Sequence, residues 1–148
     1  MDREAYMRLA LDAGKNALAT GDVPVGCVIV REGVVLARGW NAREPGDATA
    51  HAETMAIRAA CGKLGTWRLE GCDLYVTLEP CPMCAGAIIN SRIARVFYGA
   101  KDEKAGCCGS VLNLFEERFN HKPRIYGGIL EEECASLLSS FFLGLRQT

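Results

Sequence analysis

Apolar residues along the chain alternate between helical spacing and short continuous runs. Over residues 2–20 they recur every three or four positions, which predicts an amphipathic helix. Residues 24–30 form an apolar run rich in β-branched side chains, which predicts a buried strand. A polar turn at residues 31–33 leads into a second apolar run at residues 34–40, so the two runs are expected to form a hairpin.

The rest of the chain continues this alternation after a polar loop. We predict helices at residues 50–63, 82–90 and 131–145, a shorter helical stretch at 110–117, and strands at 73–78, 95–100 and 124–129. Because helices connect the third, fourth and fifth strands, those strands are expected to be parallel neighbours, whereas the opening hairpin is antiparallel. This predicts a single domain over residues 1–148, an α/β fold with a mixed five-stranded sheet in a three-layer α/β/α arrangement.

The composition excludes some classes of protein but does not identify this one. The 148 residues are 49% hydrophobic and 24% charged, which is typical of a globular domain and argues against a disordered chain or a coiled coil. The 17 basic and 18 acidic residues leave a net charge of −1. This balance excludes a strongly basic nucleic-acid binder but allows a local basic patch.

The chain contains eight cysteines, a large number for its length. Its first residues, Met1-Asp2-Arg3-Glu4, lack the apolar core of a signal peptide, and no apolar run approaches the roughly 20 residues of a membrane helix. We therefore expect a cytoplasmic protein that does not enter a membrane, in a compartment that keeps thiols reduced. The cysteines are then core residues, metal ligands or redox groups, and not a disulfide framework.

Candidate chemistry is concentrated in two short motifs, each at a predicted helix start. The motifs are His51-Ala52-Glu53 and Pro80-Cys81-Pro82-Met83-Cys84. Cys81 and Cys84 are three residues apart, so their sulfurs face one side of the helix. With His51 they make a three-ligand zinc set, which leaves a position for water that the metal acidifies toward a pKa of about 7. Glu53 then takes a proton from the zinc-bound water and passes it to a ring nitrogen of an amidine-like base, while the resulting hydroxide adds to the carbon that bears the exocyclic amine. A second proton transfer through Glu53 releases ammonia.

Other interpretations of these motifs stay open at this point. A C-x-x-C pair after a strand is also typical of a thioredoxin-like redox site. A closed structural zinc site would need a fourth ligand, and the later loops offer His121, Cys107 and Cys108. The histidine alone fits a hydrogen-bonded polar residue, and the glutamate alone fits a solvated helix face. The zinc interpretation therefore depends on the joint occurrence of both motifs at helix starts.

At these residues the chain resembles the zinc-dependent nucleobase deaminases, whose signature is H-x-E followed by P-C-x-x-C. Ten segments are similar to the bacterial tRNA-specific adenosine deaminase branch: residues 23–26, 39–41, 49–53, 74–81, 83–87, 91–93, 98–100, 109–110, 120–121 and 141–142. The resemblance runs from about Tyr6 to Arg146, nearly the whole chain. It implies a cytidine-deaminase-like form of the three-layer fold.

The resemblance also implies an activity. Members of this branch hydrolytically deaminate adenosine to inosine at the wobble position of a tRNA anticodon stem-loop, and they work as homodimers in the cytoplasm. For this chain it implies one zinc ion, with His51, Cys81 and Cys84 as the ligands and Glu53 as the catalytic proton shuttle. The partner subunit is expected to help shape the RNA-binding surface.

Contacts to the reacting base follow from the same resemblance. Asn41 would hydrogen-bond the flipped base, the backbone N–H of Ala52 would meet the base edge, and Val25 would form an apolar wall. A turn residue at the end of a strand is the alternative for Asn41, and a simple core residue is the alternative for Val25.

Contacts to the neighbouring nucleotides are implied at three later pairs of residues. The pairs are Asp102 and Lys104, Asn120 and His121, and Phe141 and Phe142. Aromatic stacking on splayed bases is the usual way in which proteins recognise single-stranded RNA loops. The alternative for Asp102 and Lys104 is an exposed charged loop, and the alternative for His121 is a polar loop residue. For the two phenylalanines the alternative is packing of the last helix against the core.

Phosphate binding needs local positive potential, which basic residues in the second half of the chain could supply. We predict that they converge around the zinc site or along the dimer interface: Arg92, Arg95, Lys101, Lys104, Arg118, Lys122, Arg124 and Arg146. One motif position leaves the substrate open, because Pro82 stands where some tRNA enzymes carry valine. Cys-Pro-Met-Cys also occurs in guanine deaminases of the same superfamily, so a free-base or nucleoside deaminase is the alternative function.

Overall fold

The structure is a computed structural model that describes residues 1–44 and 46–146, the last of these by its backbone alone. The described residues form four α-helices, α1 (Arg3–Lys15), α2 (Ala52–Leu64), α3 (Pro82–Asn90) and α4 (Glu131–Arg146), and two short 3₁₀ helices, Asn16–Thr20 and Leu114–Glu116. They also form five strands, β1 (Gly26–Arg31), β2 (Val34–Trp40), β3 (Asp73–Leu78), β4 (Arg95–Ala100) and β5 (Arg124–Tyr126). The predicted alternation of helices and strands is confirmed.

The strands form one mixed sheet in the order β2-β1-β3-β4-β5. β1 is antiparallel to both β2 and β3, whereas β3, β4 and β5 run parallel. The carboxyl ends of β2, β3 and β4 therefore lie at one edge of the sheet, next to the amino end of β1. The segments around residues 25, 41, 79 and 101 meet at this edge, which we call the carboxyl edge.

Two apolar cores cover the two faces of the sheet, as the three-layer prediction requires. Cys27 and Ile29 pack in the core that includes residues of α2 and α3. Val28 and Val30 point to the opposite face and pack with residues of α1 and α4. This alternation along β1 follows from the two-residue period of a strand. Both flanking layers are helical, so the fold prediction is confirmed.

Two predicted elements are shorter than expected. The helical stretch at residues 110–117 is only a 3₁₀ turn, which starts where the Asn113 side chain accepts a hydrogen bond from Phe115 N. The last strand ends at Tyr126 and not at residue 129, because two glycines follow and Gly128 adopts a φ of 80°. Among the described residues, every helix is too short or too polar to cross a membrane.

Candidate active site

Three predicted zinc ligands meet at the carboxyl edge of the sheet. His51 Nδ1 lies 3.6 Å from Cys81 Sγ and 3.5 Å from Cys84 Sγ, and the three ligand atoms lie within 4.8 Å of one another. His51 is the N-cap of α2, and Cys81 is the N-cap of α3. Pro82 occupies the first turn of α3, where its missing N–H costs no hydrogen bond. The N-terminal ends of α2 and α3 thus bring the three metal-binding side chains together.

The donor set fits a zinc ion. One imidazole nitrogen and two sulfurs are ligands that zinc prefers, and His51, Cys81 and Cys84 lie close enough to hold the ion. The group includes no fourth His, Cys, Asp or Glu within the described part of the chain. His121, Cys107 and Cys108 therefore do not close the site. The arrangement favours the open, three-ligand type of zinc site over a structural one.

The acid–base properties of the three ligands are coupled through shared hydrogen bonds. A hydrogen bond from the Cys84 thiol lowers the pKa of Cys81 to about 4. The hydrogen bond that Cys84 makes to the sulfur of Cys81, together with burial of Cys84, holds the pKa of Cys84 far above the usual range. The hydrogen bond to Cys81 raises the pKa of His51. Zinc binds deprotonated cysteines and a neutral histidine, so binding of the metal would displace the protons that these three side chains otherwise share.

Glu53 lies in the first turn of α2, two residues after His51. Its side chain is only 4% exposed, and it lines a cavity of about 540 Å³ together with His51 and Cys81. Burial raises the pKa of Glu53 to about 7. The carboxyl group can therefore both take and give a proton near neutral pH.

The cavity also collects several residues predicted to contact the substrate. Val25, Asn41, Asp102, Lys104 and Phe142 all line it. Val25 is buried beside β1, whereas the ring of Phe142 is 44% exposed on α4. An apolar wall, a polar amide and a charged rim thus surround Glu53.

Asn41 is 7% exposed, and its Oδ1 accepts a hydrogen bond of 3.0 Å from the backbone N–H of Ala52. Its Nδ2 group has no hydrogen-bond partner among the described residues. Every buried side-chain nitrogen or oxygen among those residues has a partner, so Nδ2 is not fully buried. The Nδ2 donor is therefore accessible from the cavity. The N–H of Ala52, predicted to meet the base edge, is already engaged by Asn41.

Other predicted contact residues lie away from this cavity in the same chain. His121 Nε2 is 2.7 Å from the carbonyl oxygen of Ile93, which lies just before β4, at the edge of the sheet opposite the zinc ligands. Asn120 is exposed next to it. Phe141 is half-buried and packs edge-on against Phe142, with ring centroids 5.4 Å apart.

The predicted basic residues do not form one patch at the cavity. Lys101 and Lys104 line it, but Arg95 begins β4 and pairs in register with Arg124 of β5, at the opposite edge. Arg95 is also engaged by Asp73 through two hydrogen bonds of 2.5 and 2.8 Å. The side chain of Arg146 lies outside the described residues. A place for the remaining basic residues along a dimer interface stays a prediction.

Sequence reasoning missed two buried carboxylates at this edge. Asp22 accepts hydrogen bonds from Arg43 Nε, Arg43 Nη2 and the backbone N–H of Arg43, at 2.6–3.1 Å, and so holds Arg43 at the cavity. Glu79, after β3, accepts four hydrogen bonds from residues 102–110. Their partners are 21 or more residues away in the chain. No local spacing in the sequence could have indicated either contact.

The geometry agrees with comparisons to known proteins. Residues 1–100 match the family model "Cytidine and deoxycytidylate deaminase zinc-binding region". The chain is 53% identical over 146 residues to a tRNA-specific adenosine deaminase of Bacillus subtilis, covering 97% of this chain and 91% of that protein. It is 48% identical over 143 residues to a protein of the same name from Agrobacterium fabrum, covering 95% and 94%.

Two solved structures are also similar to this one. A chain from a study of A-to-I editing by tRNA:A34 deaminases at the wobble position of tRNA has a TM-score of 0.88 and 48% identity, covering 92% of this chain and 100% of that chain. A guanine deaminase from Bacillus subtilis has a TM-score of 0.66 and 33% identity, covering 100% and 96%. The two differ in the substrates that their names state.

Proposed function

The chain belongs to the zinc-dependent cytidine and deoxycytidylate deaminase family, and we propose that it deaminates adenosine to inosine at the wobble position of a tRNA anticodon. The observation that carries the proposal is the position of Glu53, buried beside His51, Cys81 and Cys84 in a cavity that also presents Asn41. The identity to proteins named tRNA-specific adenosine deaminase supports the choice of substrate within the family.

Hydrolytic deamination replaces the exocyclic amine of adenosine by an oxygen atom from water and releases ammonia. A zinc ion held by His51, Cys81 and Cys84 would supply a hydroxide nucleophile by lowering the pKa of water from 15.7 to about 7. Glu53 accepts the proton that water loses and delivers it to N1 of the purine as the new C6–O bond forms. It then moves the hydroxyl proton of the adduct to the amine, so that the C6–N bond breaks and ammonia leaves.

Asn41 and Ala52 act as a pair in this proposal. The backbone N–H of Ala52 holds Oδ1 of Asn41, which fixes the orientation of the amide. The accessible Nδ2 group then donates to an acceptor atom of the flipped base. Val25 supplies the apolar wall against which the ring packs. The contact expected of Ala52 is thus exerted through Asn41.

The nucleotides beside the wobble base would meet the rim of the cavity. Asp102, Lys104 and Phe142 lie there and are proposed to contact the anticodon loop. Asn120 and His121 lie at the opposite edge of the sheet, so we propose that they reach the RNA from the second subunit of a homodimer. Phe141 would support the ring of Phe142 through their edge-on contact.

A deaminase acting on a free base is the second candidate, because the chain shares 33% identity with a guanine deaminase and carries the Cys-Pro-Met-Cys motif. A paired-substrate assay separates the two functions. One arm contains an anticodon stem-loop with adenosine at the wobble position and the same hairpin with guanosine there. The other arm contains free guanine, cytosine, cytidine and adenosine.

We expect inosine only in the adenosine hairpin. Turnover of a free base with an untouched hairpin would overturn the proposed substrate and assign the same chemistry to a small-molecule deaminase. Release of ammonia from none of the substrates would contradict both candidate functions.

A further inference from the structure

Glu79 is a buried carboxylate to which the proposed chemistry gives no role. It directly follows β3 and is only 2% exposed. Its Oε1 accepts hydrogen bonds from the Asp102 N–H at 3.1 Å and the Ser110 hydroxyl at 2.5 Å. Its Oε2 accepts from the backbone N–H groups of Cys108 at 2.8 Å and Ser110 at 3.2 Å. These four bonds use the four lone-pair positions of a carboxylate, so none is left for a substrate.

The loop that follows β4, residues 101–110, is shaped around this side chain. Gly106 has no room for a side chain, because a Cβ there would overlap the carboxyl carbon of Glu79. A further hydrogen bond of 2.8 Å runs from Cys107 N to the carbonyl oxygen of Pro80, next to the metal ligand Cys81. The loop is therefore fastened to the turn that carries this ligand.

The same loop forms one wall of the cavity, through Lys101, Asp102 and Lys104. Within the loop, Oδ1 of Asp102 accepts from the backbone N–H groups of Lys104 at 3.1 Å and Ala105 at 3.2 Å. The bond from Asp102 N to Glu79 thus fixes the residue on which the conformation around Lys104 depends. Two of the proposed RNA contacts are linked to one buried anion.

We propose that Glu79 is a positioning residue that holds the 101–110 loop against the zinc-bearing turn and thereby sets the affinity for the RNA. Glu53 and the metal ligands set the rate of turnover. This inference rests on the proposed function for its substrate, but the holding of the loop can be measured without any substrate.

Glu79→Gln is the sharpest variant, because an amide has the same shape but only one acceptor oxygen. If that oxygen occupies the Oε2 position, the backbone N–H groups of Cys108 and Ser110 keep their bonds, and the amide NH₂ faces the N–H of Asp102 and the hydroxyl of Ser110. The alternative orientation directs the NH₂ at two backbone N–H groups. Either way a donor of the loop loses its acceptor, and the best orientation releases Asp102.

Ser110→Ala is a milder second variant, since it removes only the hydroxyl bond and lies far along the chain from the metal ligands. Glu116→Gln is the matched control, an exposed carboxylate beyond the loop. Steady-state kinetics on the adenosine hairpin, zinc content and hydrogen exchange of residues 101–110 are measured for all four proteins, wild type included.

For Glu79→Gln we expect an increase in KM of about 10-fold or more with kcat within about twofold of wild type. Zinc content should be unchanged, and hydrogen exchange should rise in residues 101–110 but not in α2. Ser110→Ala should change KM and exchange in the same direction by less, and Glu116→Gln should match wild type.

Three results would overturn the proposal. Unchanged exchange in residues 101–110 in both variants would show that Glu79 does not hold the loop. Lost zinc in Glu79→Gln would show that it supports Cys81, and a lower kcat with an unchanged KM would place its effect on the chemical step. A wild-type protein that leaves the hairpin untouched would instead overturn the proposed function and with it the substrate of the loop, whatever the exchange shows.

Discussion

Two buried glutamates at one edge of the sheet differ in what surrounds them. Burial raises the pKa of Glu53 to about 7. Burial would raise that of Glu79 as well, but the hydrogen bonds from Ser110, Asp102 and Cys108 outweigh it and hold its pKa below the usual value of 4.5. The donors around a buried carboxyl group therefore decide whether it keeps its proton or its charge. The region of Glu53 suits proton transfer, whereas the region of Glu79 suits a fixed anchor.

Removing the metal ligand Cys84 should have the largest effect, because the role of Glu53 depends on the metal. In Cys84→Ser a hydroxyl replaces the thiolate that zinc prefers, so zinc should fall from about one per chain toward zero and turnover should disappear. Elemental analysis of protein purified without added zinc measures this loss. Cys107→Ser, in the loop beside Glu79, is the matched control and should keep its zinc. A Cys84→Ser protein with full zinc would contradict the ligand assignment and reopen the redox interpretation.

Exchanging each glutamate for glutamine should then separate their effects on the reaction. Glu53→Gln removes the proton carrier, so kcat should fall on the order of 10²–10⁴-fold while zinc and fold are retained. Glu79→Gln should leave kcat nearly unchanged. Single-turnover rates on the adenosine hairpin provide the measurement. Substantial activity in Glu53→Gln would remove the glutamate from the proposed mechanism.

The stability of the zinc-free protein should respond to Glu53→Gln with the opposite sign from activity. The pKa of Glu53 rises from 4.5 to about 7 on folding, so its ionisation opposes folding. The protonated carboxyl group of Glu53 makes its full contribution to the stability of the fold below pH 4.5, and this contribution is lost as the pH rises through 7. Above pH 8 the glutamine variant should be more stable by roughly 3 kcal/mol, and below pH 4.5 the two should converge. Urea unfolding at pH 4.5 and 8.5 tests this, and a variant less stable at both would refute it.

Glu79→Gln should give the smallest effect, with the reverse sign. The pKa of Glu79 is lowered on folding, so its charge stabilises the fold above pH 4.5 and this contribution is lost as the pH falls. At pH 7.5 the variant should be less stable by about 1–3 kcal/mol, because a buried donor loses its acceptor. The difference should narrow in acid. Urea unfolding across this range is the measurement, and a difference that widens in acid would contradict the assignment.

Much of the fold and the centre of the site were predictable because their signals are local. The period of the apolar residues indicated the helices and strands, and the crossover helices indicated which strands run parallel. Of the helix predicted at residues 110–117 only the 3₁₀ turn Leu114–Glu116 forms, because Asn113 pairs with Cys108 in an isolated bridge and Leu114 N donates to the carbonyl oxygen of Cys107. No pattern within that segment records the contact.

The set of metal-binding side chains could be recognised from the sequence, because His51 and the C-x-x-C pair lie at helix starts that their own neighbours specify. The glutamate two residues after the histidine is likewise visible in the sequence. The burial and raised pKa of Glu53, the contact of Asp22 with Arg43 and the contacts of Glu79 with the loop depend on the folded arrangement of distant segments. The hydrogen-bond partners of these carboxylates lie 21 to 31 residues away in the chain, and the pairing of β1 with β2 and of β3 with β4 brings them together.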